Sequence, residues 1–380
     1  METLSDEEHT TLILVTRPDE TPLKEAARAS EELREIGVNN QMLIVNGLLQ
    51  SHDDTISELY YNKQQKALEN APETLKSLHT VFIPLRAYNI MGIENMKALL
   101  TSEQYSISED DLQITEQHTL SDVIEDLYQS GKKVIFTMGK GGVGKTTIAA
   151  TVALGLAQKG VKVHLTTTDP AAHLKYVASE NEHLTMSHID EELVLENYKK
   201  TVLDKARENN LSEDDIAYIE EDLRSPCTQE IAFFRAFAEV VARSEDEVVV
   251  VDTAPTGHTL LLLDSTQSYH KEVERTHGDT PEAVKTLLPK LRDEAITSVI
   301  IATLAEATPV YEASRLEEDL HRAGLHTKWW VVNSSLYKTG TTNKLLQAKA
   351  SHEIKWINYV HDHTQGNVAV IEWGANTIKK

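Results

Sequence analysis

Residues 132–147 constrain this chain more than any others. Lys132-Lys133-Val134-Ile135-Phe136-Thr137-Met138 is a β-branched, apolar run that leads straight into Gly139-Lys140-Gly141-Gly142-Val143-Gly144-Lys145-Thr146-Thr147, and an Ala-rich helical stretch follows from Ile148 to Gln158. A strand, a G-x-x-x-x-G-K-[ST] loop and a helix in that order make a P-loop. Its glycines let successive backbone N–H groups turn inward around phosphate oxygens, and the helix N-terminus adds its positive end. Lys145 is then placed to reach the β- and γ-phosphates, and the Thr146 hydroxyl to ligate magnesium. Lys140 is an addition to the minimal pattern. It reads either as a solvated loop lysine or as a second cation for a phosphate, within the chain or across a dimer.

Two acidic residues stand where such a loop needs them. Val248 to Val251 is a continuous apolar run, as expected of a strand buried on both faces of a parallel sheet, and it ends in Asp252. In open α/β sheets ligands bind beyond the carboxyl ends of the strands, so Asp252 is the candidate for the second magnesium-shell group. Val161 to Thr167 reads as a further strand and is followed by Thr168-Asp169-Pro170. Asp169 is either a helix N-cap or a carboxylate that orients an attacking water. The expected fold class is therefore α/β, a P-loop NTPase with a mostly parallel sheet flanked by helices.

An internal repeat divides the chain. Thr10 to Leu49 laid over Thr297 to Leu336, without a gap, matches at 14 of 40 positions. Among the matches are Thr21-Pro22 with Thr308-Pro309, Glu25 with Glu312, Gly37 with Gly324 and Asn46 with Asn333. Each copy reads as a strand, a helix opened by Thr-Pro and closed by Gly, and a second strand ending in Asn, the unit of a right-handed parallel crossover. Only the second copy follows a P-loop. The expectation is an incomplete first α/β copy lacking its P-loop over 1–105, an acidic linker over 106–130, and a P-loop domain over 131–380 that is truncated at its C-terminus.

The charge follows the same division. The formal net charge is -23, of which residues 1–130, with 24 acidic and 9 basic side chains, carry -15. Such a surface repels nucleic-acid backbones, so no nucleic-acid partner is expected. Apolar runs such as Leu260 to Leu263 are far shorter than the roughly 18 to 20 residues that span a bilayer. The lone Cys227 excludes an intrachain disulfide, and the acidic, polar start is unlike a secretory signal, so a cytoplasmic location is expected.

The runs GKGGVGKTT, TTTDPAAHL, DTAPTGHTLLLL and DLRSPCTQE together resemble the arsenical-pump-driving ATPases, specifically the second of that family's two tandem nucleotide-binding halves. The P-loop and the DTAPTGHT run also resemble the tail-anchored-protein targeting ATPases. The resemblance covers residues 131 to about 370, and residues 1 to about 105 are similar to the end of the family's first half. It implies ATP and Mg2+ as ligands, with Gly139 to Thr147 cradling the phosphates. Lys140 becomes the lysine that reaches across a dimer interface, Asp169 the residue that positions water, Asp252 the magnesium-shell residue, and Asn333 the group that holds the adenine edge. It further implies As(III) or Sb(III) as an activating ligand at Cys227, His258 and Ser225.

From the same resemblance come the expected partners: an integral-membrane arsenite pump protein, which would hold the chain peripherally at the membrane, and an arsenic metallochaperone. A homodimer, or pairing with a separate first half, would complete the nucleotide sites. The alternatives are a targeting ATPase for membrane-protein tails and a nucleotide-binding remnant without turnover. A further reading takes His361 and His363 as exposed loop histidines.

Overall fold

The computed structural model describes residues 3–90, 92–99, 115–169, 174, 179, 181–253 and 282–374. The chain divides into two compact units. One comprises Met1–Ile114, Ser334–Ile357 and Glu372–Thr377, the other Thr115–Asn333, Asn358–Ile371 and Ile378–Lys380.

The first unit runs β1 (Leu12–Thr16), α1 (Glu20–Glu35), β2 (Gln41–Leu48), α2 (Thr55–Glu69), α3 (Glu73–Lys76), β3 (His79–Pro84) and α4 (Gly92–Ala98). The strands make a parallel sheet in the order β1-β2-β3. Alternation puts Leu14, Leu43 and Val45 on the face that packs against Leu23 and Ala27 of α1, Ala67 of α2 and Leu75 of α3. On β1 the residues between them, Ile13 and Val15, are exposed. Asp54 caps α2 by accepting from the Ser57 N–H at 2.7 Å, and the same carboxylate accepts from the Thr341 hydroxyl at 2.7 Å.

The second unit begins earlier than composition suggests. Leu120–Gln129, inside the acidic segment 106–130, is helix α5, opened by a Thr119/Asp122 capping box. Its Val123, Ile124 and Leu127 fall on one face at helical spacing and are buried in the main core. Asp126 on the same helix accepts from the Trp329 indole N–H at 2.8 Å. The charges that make this stretch look like a linker line the solvated side of a packed helix.

Along the chain follow β4 (Val134–Met138), α6 (Lys145–Gln158), β5 (Val163–Thr167), β6 (Leu184–His188), α7 (Glu191–Glu208), α8 (Glu213–Asp222), α9 (Pro226–Ala242), β7 (Val248–Asp252), α10 (Glu282–Arg292), β8 (Thr297–Leu304), α11 (Ala307–Arg322), β9 (Thr327–Ser335), α12 (Lys344–His363) and β10 (Val368–Glu372), of which the end of β9, most of α12 and the last residue of β10 belong to the first unit. The seven strands order as β10-β9-β8-β4-β7-β5-β6, with parallel ladders joining β4 to β7 and β8, β5 to β6 and β7, and β8 to β9. All five residues of β4, β5 and β7 are buried. One face packs on α6 and α5; on β4, Phe136 lies against Phe237 of α9 with ring centroids 6.2 Å apart. The mostly parallel sheet with flanking helices is the fold expected from the P-loop.

The repeat is structural as well as sequential. Helices α1 and α11 correspond at both ends under the gapless alignment, and the pairs Ile13↔Met42 to Thr16↔Val45 recur as Ile300↔Trp329 to Thr303↔Val332. Strand order β1-β2-β3 matches β8-β9-β10. Among the described residues no helix is long and apolar enough to cross a membrane.

Candidate functional site

Insertion of β7 between β4 and β5 sets the site. The ladders align Thr137, Asp252 and Thr167 in one row across the three strands, at their carboxyl ends. Beside that row the chain leaves β4 through Gly139 to Gly144 and enters α6 at Lys145. Gly144, the N-cap of α6, has φ +93, and a Cβ there would come within 2.1 Å of Asn333 Nδ2. Gly139 lies equally close to the sheet, where a Cβ would meet the Ala302 carbonyl oxygen at 2.3 Å. Both positions need glycine for space as well as for backbone angle.

Four side chains meet at this loop. The Thr146 hydroxyl donates to Asp252 Oδ2 at 2.7 Å, and the Thr167 hydroxyl approaches the same oxygen at 3.2 Å. The other carboxylate oxygen, Asp252 Oδ1, is buried and has no hydrogen-bond partner among the described residues. Lys145 is buried, with Nζ donating to the Lys140 carbonyl oxygen at 3.2 Å. Burial pushes the Asp252 carboxyl up to about 6, against the Thr146 hydroxyl, the Lys145 charge and the Thr167 hydroxyl that draw it down; the Asp169 charge adds to the rise. A buried, orphaned carboxylate oxygen next to a hydroxyl is an all-oxygen donor set suited to a hard divalent cation, and magnesium fits it.

The remaining candidates fall into three groups. Asp169 sits on the turn after β5, where its backbone N–H donates to the Thr167 hydroxyl at 3.1 Å, and its charge is close enough to act on Asp252. Lys140 pairs with Glu312 of α11 at 2.9 Å. Asn333 lies under the loop, where Nδ2 donates to the Val143 carbonyl oxygen at 2.9 Å and supports the P-loop backbone. Ser225 precedes α9, and Cys227 is that helix's second residue. The Cys227 side chain and His258 lie outside the described residues, which hold no group of three His, Cys, Asp or Glu side chains that could bind a metal.

Neither Glu312 nor Thr167 was singled out as a site residue from sequence. For Glu312 a signal existed, since it is one of the identities shared with the first copy, as Glu25. Thr167 lies within the run TTTDPAAHL, but only the strand order places it beside Asp252.

A glycine-rich loop between a buried strand and a helix, with a lysine, a hydroxyl and a carboxylate converging on it, defines a P-loop nucleotide-binding protein. The chain belongs to the anion-transporting ATPase family, whose model matches residues 1–102, 132–280 and 269–373. It is 41% identical over 378 residues to an arsenical pump-driving ATPase of Escherichia coli and 40% identical to that of Acidiphilium multivorum. Those matches cover 98% of this chain but 64% of each relative, so the chain spans less than two thirds of their length. An ATPase GET3 of Malassezia globosa is 26% identical over 62% of this chain and 84% of its own length.

Proposed function

We propose that the chain hydrolyses MgATP and couples hydrolysis to export of arsenite or antimonite through a membrane pump protein. The observation that carries the nucleotide part is the Thr146–Asp252 contact at the N-terminus of α6, with one carboxylate oxygen left over. Support for the metalloid part comes from the names of the relatives at 39–41% identity.

In this reading the backbone N–H groups of 139–147 and the end of α6 bind phosphate, and Lys145 neutralises charge on the β- and γ-phosphoryl oxygens. Thr146 and Asp252 would hold magnesium, which supplies further charge neutralisation when bound. Asp169 orients the attacking water from the turn beyond β5. Lys140, once released from Glu312, adds a second cation to the phosphoryl group being transferred, as phosphoryl transfer is accelerated mainly by positioning and electrostatic stabilisation. Cys227, with Ser225 and His258, receives the metalloid as cargo; a thiolate is the ligand trivalent arsenic and antimony favour.

The test is steady-state ATP hydrolysis by the pure chain with magnesium, with and without antimonite. Stimulation by antimonite supports the export reading. Hydrolysis indifferent to antimonite would leave ATP turnover standing and remove the metalloid coupling, whereas nucleotide binding without turnover would fit a remnant.

A further inference from the structure

We propose a second ligand site, for a borderline divalent transition-metal ion such as nickel or zinc, at the opposite end of the sheet from the P-loop. There a cavity of about 610 Å³ opens at the amino-terminal ends of β4, β8, β9 and β10 and is lined by His321, His326 and His363 together with Glu294, Glu317 and Glu318. None of these residues takes part in the phosphate chemistry.

Each imidazole is engaged through one nitrogen. His326 Nδ1 pairs with Glu294 Oε1 at 3.1 Å, His363 Nε2 with Glu317 Oε2 at 2.6 Å, and His321 Nε2 lies 3.4 Å from the Thr327 hydroxyl. A carboxylate on one ring nitrogen fixes the tautomer and raises the basicity of the other nitrogen, the arrangement found behind metal-ligating histidines. His363 is exposed, as expected from sequence, but it belongs to a helix and not to a loop. It ends α12, packs edge-on against Trp330 with centroids 5.2 Å apart, and anchors the cavity wall through Glu317.

His321 and His326 are the ligands. Both are exposed, and their ring centroids are 6.0 Å apart. One ion bound to two imidazoles at about 2.0–2.1 Å from each nitrogen puts the ring centres roughly 5 to 6.5 Å apart. Among the described residues no third ligand already stands at coordinating spacing, so water completes the shell.

The charges around the cavity favour a cation. Glu317 is held as the anion: burial raises its carboxyl, but hydrogen bonds from Thr327, Trp330 and His363 outweigh that and bring it below the ordinary range. Of the two lysines on the rim, Lys328 pairs with Asp126 at 2.7 Å and Lys132 donates to the Glu294 carbonyl oxygen. Imidazole selects nickel, zinc, copper or cobalt over magnesium and calcium, so this site does not compete for the ion of the P-loop.

The experiment is calorimetric titration of the full chain with nickel or zinc chloride, repeated on His321→Gln/His326→Gln, on Glu294→Gln, and on a control pair that does not line the cavity, His9→Gln/His352→Gln. One binding event should be lost in the first variant and kept in the control. Glu294→Gln should weaken it about tenfold through loss of the carboxylate behind His326. With cobalt, visible absorption of the bound ion should vanish only in the His321/His326 variant. Equal affinity and stoichiometry in wild type and that variant, or no binding by the wild type, would overturn the proposal.

Discussion

Lys140 Nζ and Glu312 Oε1 stand 2.9 Å apart, which ties the P-loop to the first half of helix α11. Both side chains are about 40% exposed, so the pair is screened and contributes on the order of 0–1 kcal/mol. A phosphate can therefore displace Glu312 at little cost. Glu312→Gln removes the competitor for Lys140 and should tighten MgATP binding up to about fivefold, the equivalent of that energy. Titration with a fluorescent ATP analogue reads this directly. Weaker binding in the variant would mean that Glu312 positions Lys140 for nucleotide instead of withholding it.

Gly144 and Asn333 form the tightest approach in the site. Gly144→Ala would place a methyl group 2.1 Å from Asn333 Nδ2 at a backbone angle of φ +93, so the loop or β9 must shift. A displacement near 1 Å at a catalytic loop costs about 10²-fold in rate. ATP turnover should fall by that order with the sheet still folded, as checked by far-ultraviolet circular dichroism. Turnover within threefold of wild type would show that the loop tolerates the shift.

Asn333 has two roles to separate. As a loop support it holds the Val143 carbonyl, and Asn333→Ala leaves that buried oxygen unpaired at a cost of about 1–3 kcal/mol. All nucleotides should then bind more weakly by a similar factor. If Asn333 also reads the adenine edge, the variant loses ATP affinity more than GTP affinity. Competition between the two nucleotides decides, and equal losses would remove the adenine role.

Cys227 tests the metalloid reading separately from the nucleotide site. Cys227→Ser keeps the size of the side chain and removes the soft ligand, so basal hydrolysis should persist while antimonite stimulation disappears. Stimulation that survives the change would take the metalloid site away from α9.

Much of this was legible in sequence, for reasons that are local. The P-loop is contiguous, so its strand, glycines and helix could be read together. The repeat preserved both helix boundaries and strand register because cap, turn and apolar positions recur at fixed spacing, as in Thr21-Pro22 and Thr308-Pro309. What escaped was non-local. Lys140 and Glu312 are 172 residues apart, and nothing in either segment announces the other. Thr167 joins Asp252 only because β7 inserts between β4 and β5. The helix Leu120–Gln129 escaped for another reason: its acidic composition hid an apolar stripe that periodicity alone reveals.

Asp252 gives the fold a pH dependence with a definite sign. Its folded carboxyl titrates at about 6, above the ordinary value of 3.8, so folding favours the protonated form. Below about pH 4 the group is protonated in both states and costs nothing. As pH rises from about 4 through 6 the unfolded chain gains by ionising first, and the nucleotide-free fold loses about 3 kcal/mol relative to an uncharged residue. Asp252→Asn should therefore be more stable than wild type at pH 8 by about that amount, with the advantage fading to zero near pH 4. Magnesium reverses the sign for the wild type only, since a cation beside the orphaned oxygen favours the ionised carboxylate. Thermal melts of both proteins across that range, with and without magnesium and ATP, check it. If the two curves run parallel, the strain of the buried carboxylate is absent and Asp252 is already neutralised by Lys145 in the free protein.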